Sequence, residues 1–187
     1  WAWVDDAPWG YAPFHYGRWV SVGNRWGWYP GRHVGRPVWA PALVGWVGRP
    51  GWSITISGGP APVVGWYPLS PYERYQPWYA ANVTYVNRVN HVVIVDRRDP
   101  RGDRDRHRDP DRDGRRNDNR DRGATVVTRD NFVGRRPVQG ALAPVPRDVI
   151  ANQPVVSGTA VLPSGNEWRA AVRPSDASWL QLYGLAC

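Results

Sequence analysis

The residues that could do acid–base chemistry are few. In the first 95 positions the carboxylates are Asp5, Asp6 and Glu73. Asp5 and Asp6 are adjacent, so on a strand they face opposite sides. A glycosidase needs two carboxyls roughly 5–10 Å apart across a cleft. Asp5 or Asp6 with Glu73 could supply such a pair, but a loop salt bridge from Glu73 to Arg74 or Arg18 is the competing role. The imidazoles His15, His33, His91 and His107 are scattered. His15 lies between Phe14 and Tyr16 at strand spacing, as a packed imidazole would, and His33 follows the Pro30-Gly31-Arg32 turn. A metal site would have to combine His15, His33 and an Asp, without the clustering that metal ligands show. The Asp-rich run after residue 95 lacks the spaced oxygens and glycine of a calcium loop. No Gly-x-Ser-x-Gly occurs, and Ser157-Gly and Ser164-Gly lack the strand–turn–helix setting of an exposed nucleophile. A grouping of Ser70 with His and Asp has no support in the spacing. No catalytic residue, metal ligand or cofactor is assigned, and the chain reads as a binding protein rather than an enzyme.

Aromatic surface is the chemistry that the sequence does offer. Thirteen tryptophans occur in 187 residues, eleven of them in the first 78. Indole and phenol faces are flat apolar platforms for the C–H face of sugar rings, and flanking Arg, Asn and Asp can bond hydroxyls. A small β-domain cannot bury eleven tryptophans, so some should stand exposed in rows. The expected ligand-binding residues are Trp26 and Trp28 on one strand face and Trp19 across the hairpin, with Tyr16, Arg18 and Arg25 beside them. Burial in the core is the competing role for each tryptophan. Arginine interleaved with aromatics (Arg18, Arg25, Arg32, Arg36, Arg49) also suits phosphate contacts with base stacking. Against nucleic acid, the Arg/Asp run carries nine Asp beside eleven Arg. Arginine stacked on tryptophan within the fold would contribute about 0.5–1 kcal/mol at exposed sites and needs no nucleic acid.

These residues must be held by short strands. Phe14 to Val22 alternates large and small residues, Gly23-Asn24 supplies a hairpin turn, and Arg25-Trp-Gly-Trp-Tyr returns until Pro30-Gly31 stops it. On that return strand Trp26 and Trp28 share one face, while Arg25, Gly27 and Tyr29 share the other. Val38–Val47, Ser53–Ser57, Val63–Tyr67 and Tyr85–Val95 read as further strands. Residues 1–95 are therefore expected to form an all-β unit, a small twisted hairpin or barrel of SH3-like kind. Residues 96–123 are an Arg/Asp polyampholyte with too little apolar surface to fold, and are expected to be disordered. Residues 124–138 resume as a strand that rejoins the β-domain, Val126-Val127 pairing with Val92–Val95. Residues 139–187 read as a Pro/Ala/Val-rich tail with short helical turns near Ser164 and Ser175.

Net charge is +8, all 24 basic residues are arginine, and the single cysteine is Cys187, so no intramolecular disulfide can form. No run of about 18 apolar residues is present, and no transmembrane segment is expected. Methionine is absent even at position 1, and the expectation is a piece of a longer protein.

The segments Trp9-Gly-Tyr-Ala-Pro-Phe-His-Tyr-Gly-Arg-Trp-Val, Arg25-Trp-Gly-Trp-Tyr-Pro-Gly and Val64-Gly-Trp-Tyr-Pro-Leu-Ser-Pro-Tyr-Glu, in that order, resemble an uncharacterised family of secreted bacterial proteins. That family is rich in Trp and Tyr, and some members are described as FecR-like. The similarity runs over about residues 1–138, through Tyr75-Gln-Pro-Trp-Tyr and Val126-Val-Thr-Arg-Asp-Asn-Phe-Val. It implies further repeats upstream and a periplasmic or secreted location, and it supplies no activity. The expected function is a non-catalytic extracytoplasmic binding module for glycan or cell-wall polymer. The alternatives are an envelope scaffold that docks protein, a hydrolase with Asp, Glu and His at an aromatic cleft, and an RNA or single-stranded DNA binder.

Overall fold

Alternation along the strands places large side chains on both faces of one sheet, and this sets the architecture. A computed structural model of the chain describes Ala2 and residues 10–22, 25–48, 62–93, 118–134 and 136–156. Within them, β3 (Val44–Val47), β4 (Val63–Pro68), β5 (Thr125–Thr128) and β6 (Val155–Val156) form an antiparallel sheet of order β5-β4-β3-β6. Every residue of β4 is buried. Val64, Trp66, Trp46 and Val127 face one core with Phe14, Trp19 and Phe132. Val63, Tyr67, Val47 and Val126 face a second core with Leu43, Tyr75, Val89 and Ile150. Period two with both faces covered gives a continuous apolar strand. Gly45 pairs with Tyr67, whose ring lies where a Cβ on residue 45 would sit, 2.5 Å from Cζ. The absence of a side chain at that position lets the tyrosine lie flat on the sheet.

A separate ribbon pairs β1 (Arg18–Val22) with β2 (Arg25–Tyr29), with Trp19 opposite Trp28 and Ser21 opposite Trp26. This is the hairpin that the alternation predicts. The ribbon joins the larger sheet through the Trp19 N–H, which donates to Leu69 O at 3.0 Å. Asn119 reinforces the joint, its Nδ2 donating to Trp19 O at 2.8 Å and Pro68 O at 3.0 Å. The described strands are therefore mostly β in two open sheets and do not close into a barrel.

Short helices replace several expected strands. α1 (Tyr11–His15) precedes β1, so the strand starts at Arg18 rather than Phe14. α2 (Val83–Val89) occupies the stretch read as a strand from Tyr85. Its cap explains the difference: the Asn82 side chain accepts from Tyr85 N at 2.7 Å, satisfying an otherwise orphaned helical donor. α3 (Asp118–Gly123) ends the Arg/Asp run, with Asn119 only 2 % exposed. This part of the run is ordered because Asn119 bonds two strand carbonyls and Gly123 lies against Trp26 and Pro68.

β5 does rejoin the sheet, but along β4 and through a bridge from Val127 to Leu142, not along Val92. Val92 packs instead against Gly31, whose φ of 83° ends the β2 segment. The alternation then breaks at Thr128, whose hydroxyl accepts from Asn131 N and starts α4 (Arg129–Val133). α5 (Arg147–Ala151) buries Ile150, and β6 adds an edge beside β3, so part of the stretch read as a tail pairs with the sheet. The expected strand at 53–57, residues 96–117 of the Arg/Asp run and the helical turns near 164 and 175 lie outside the described residues.

Candidate functional site

The ribbon divides its tryptophans by position. On the face shared by Trp19, Ser21, Trp26 and Trp28, Trp19 is 5 % exposed and Trp26 3 %, both in the core. Trp28 lies directly across the ribbon from Trp19 and is 39 % exposed. Its indole reaches over Gly17, whose φ is 68° and where a Cβ would come within 2.6 Å of Trp28 Nε1. The Trp28 N–H donates to Tyr16 O at 3.1 Å, which fixes the ring. Of the six expected binding residues, the structure brings Tyr16 and Trp28 together. Trp19 and Trp26 stand in the core rather than in an exposed row, and Arg25 is exposed at the start of β2.

Arg18 is also interior, at 1 % exposure. It donates to Gly17 O at 2.7 Å, to Asn90 Oδ1 at 2.8 Å and to the main-chain carbonyl of Glu73 at 3.3 Å. Burial pulls its pKa down to about 10, and it remains charged at neutral pH. Asn90 completes the arrangement by accepting from Tyr75 N and donating to Tyr75 O and Val86 O. The Glu73 carboxylate turns elsewhere, accepting from Tyr67 Oη at 2.9 Å and from Ser70 N at 2.8 Å. Loss of water raises its pKa above the ordinary value, against the lowering pull of those hydrogen bonds and of Arg18. Glu73 is thus tied into the fold, and the expected Arg18 salt bridge is replaced by a bond to its backbone. Asp5 and Asp6 lie outside the described residues.

Tyr16 and Trp28 line a groove of about 500 Å³. Its other walls include the turn after β2, which carries Arg32 and His33, and the end of α2 with the turn that follows it, which carry Val89, His91 and Val92. His91 is anchored by its Nδ1, which donates to Arg88 O. A second groove, of about 550 Å³, lies among Trp39, Trp78, Tyr79 and Tyr85. Tyr85 Oη donates to Trp39 O at 3.0 Å and accepts from Tyr79 Oη at 2.6 Å. Ring contacts link the two grooves: Tyr16 to Tyr11 at 6.4 Å, Tyr11 to His15 at 4.8 Å, and His15 stacked on Trp39 at 5.2 Å. His15 is buried, its Nδ1 donating to Ala40 O at 2.7 Å, which is the packed role that its position suggests. Among the described residues no three His, Cys, Asp or Glu side chains gather to hold a metal.

Trp39, Tyr79, Tyr85 and His91 are groove residues that sequence reasoning did not single out. The available signal was aromatic residues flanking proline outside the strands, as in Trp39-Ala-Pro and Pro77-Trp-Tyr. Among the described residues no helix is long and apolar enough to cross a membrane. No curated protein and no solved structure matches the chain. Residues 1–73, which span the ribbon and the first of the two grooves' aromatic walls, match the model of a family described as a family of unknown function (DUF6600).

Proposed function

We propose that this protein is a non-catalytic binding module acting outside the cytoplasm, its exposed Trp/Tyr surface holding a glycan or cell-wall polymer. The observation that carries the reading is the groove in which Trp28, fixed by its bond to Tyr16 O, is left 39 % exposed. A concavity walled by aromatic side chains with a few polar groups is the usual form of a small-ligand site. The extracytoplasmic setting rests on the resemblance to secreted bacterial Trp/Tyr-rich proteins. A hydrolase that uses Glu73 is disfavoured, because that carboxylate is committed to Tyr67 and Ser70 and lines neither groove.

The test is retention on purified peptidoglycan and on insoluble neutral polysaccharides at about 50 and 500 mM salt, a range that spans weak to strong screening. Retention that survives high salt and is lost in Trp28→Ala and Trp39→Ala supports the reading. Retention unchanged in both variants, or none on any glycan, overturns it.

A further inference from the structure

We infer that the Trp28 groove selects an acidic saccharide, with a carboxylate-bearing sugar unit lying against Trp28 and Tyr16 while its charge meets Arg32, His33 and His91. This rests on the glycan reading and names the ligand class of that same site. Arg32 brings a cation to the groove wall and His33 and His91 bring imidazoles, and among the described residues no Asp or Glu lines it. The bias extends beyond the groove. Residues 10–93 contain seven arginines and a single acidic residue, Glu73. Glu73 does not line the groove, and its carboxylate accepts from Tyr67 and Ser70. Arg18 is buried and bonded, whereas Arg25, Arg32, Arg36, Arg74 and Arg88 are exposed. A neutral sugar would leave this field unanswered, while an anionic one is drawn to it and can take a charge-assisted bond.

The volume of about 500 Å³ falls within the roughly 300–1,000 Å³ of small-ligand pockets. Aromatic faces beside an arginine and two imidazoles match a short charged sugar segment. A nucleic acid would call for a longer basic track that follows successive phosphates.

The experiment is calorimetric titration of the full chain with a galacturonate trimer and with the same trimer methyl-esterified, so that ring shape is kept and charge removed. At about 50 mM salt the acid form should bind about tenfold more tightly, the scale of one charge-assisted hydrogen bond. Arg32→Ala should narrow that preference severalfold, weakening the acid form more than the ester. Trp28→Ala should weaken both. Equal affinity for the two trimers overturns the acidic preference and leaves the glycan reading standing. Binding of neither trimer also overturns it, and retention on neutral polysaccharide then decides the broader reading separately. Tighter binding of single-stranded RNA than of either trimer, with a steep loss at high salt, overturns it in favour of nucleic acid.

Discussion

Trp26 and Trp28 stand two residues apart on one strand face, yet one is 3 % exposed and the other 39 %. Trp26 packs against Gly123, where a Cβ would meet its ring at 2.7 Å, whereas Trp28 leans past the ribbon over Gly17. Truncation should separate the two roles. Trp26→Ala should cost about 3–5 kcal/mol in denaturant unfolding, as for a large buried aromatic. Trp28→Ala forfeits one exposed hydrogen bond, about 1 kcal/mol, so it should unfold near the parent midpoint while losing glycan retention. Glu73 gives a second residue-level expectation. Desolvation raises its folded pKa above the ordinary 4.5, so the folded state holds its proton more tightly than the unfolded chain. Its contribution to stability is complete below pH 4.5 and is lost as pH rises through the folded value. Unfolding free energy measured upward from pH 4 should therefore show a decline that Glu73→Gln removes. An identical pH profile in the two proteins would refute the assignment.

At the scale of elements, α2 is held to the sheets through a polar residue as well as through packing. Asn90, one position past the helix, bonds the Arg18 guanidinium of β1 and both main-chain groups of Tyr75. Asn90→Ala would leave a buried cation and the Tyr75 N–H without that partner. A loss of roughly 3 kcal/mol is expected. Because Val89 and Val92 line the Trp28 groove, weaker glycan binding should accompany the loss, with hydrogen exchange rising first in 83–92. The helix itself was readable: Asn82 is a good cap, and Tyr85, Val86, Val89 and Asn90 recur at helical spacing. It reads as a strand when the β-branched valines are weighed before the cap. The hairpin of β1 and β2 was legible because large and small residues alternate around a Gly-Asn turn. Which of its tryptophans stays exposed was not, since that depends on α3, which lies far along the chain at Asp118–Gly123.

For the whole molecule, the sequence signals change at residue 96, but the fold does not end there. The sheet takes β5 from beyond the Arg/Asp run and β6 from later still, so its four strands come from widely separated stretches. Such non-local pairing leaves no periodic signal, which is why 139–156 reads as a tail from composition alone. β6 is short, but it covers an edge: Val156 pairs with Trp46 and Val155 with Val47, and Gly48 N donates to Pro154 O at 3.0 Å. The same segment seats Ile150 in the core and accepts from Arg120 at Gln153 O. A chain ended after Pro144 would lose these contacts together and bare the β3 backbone, a ready template for pairing with another copy. It should melt at a lower temperature than the full chain and associate in a concentration-dependent way by light scattering. If the shortened chain stays monodisperse and melts with the parent, β6 contributes nothing to the sheet, and the described domain ends at β5 and its bridge to Leu142.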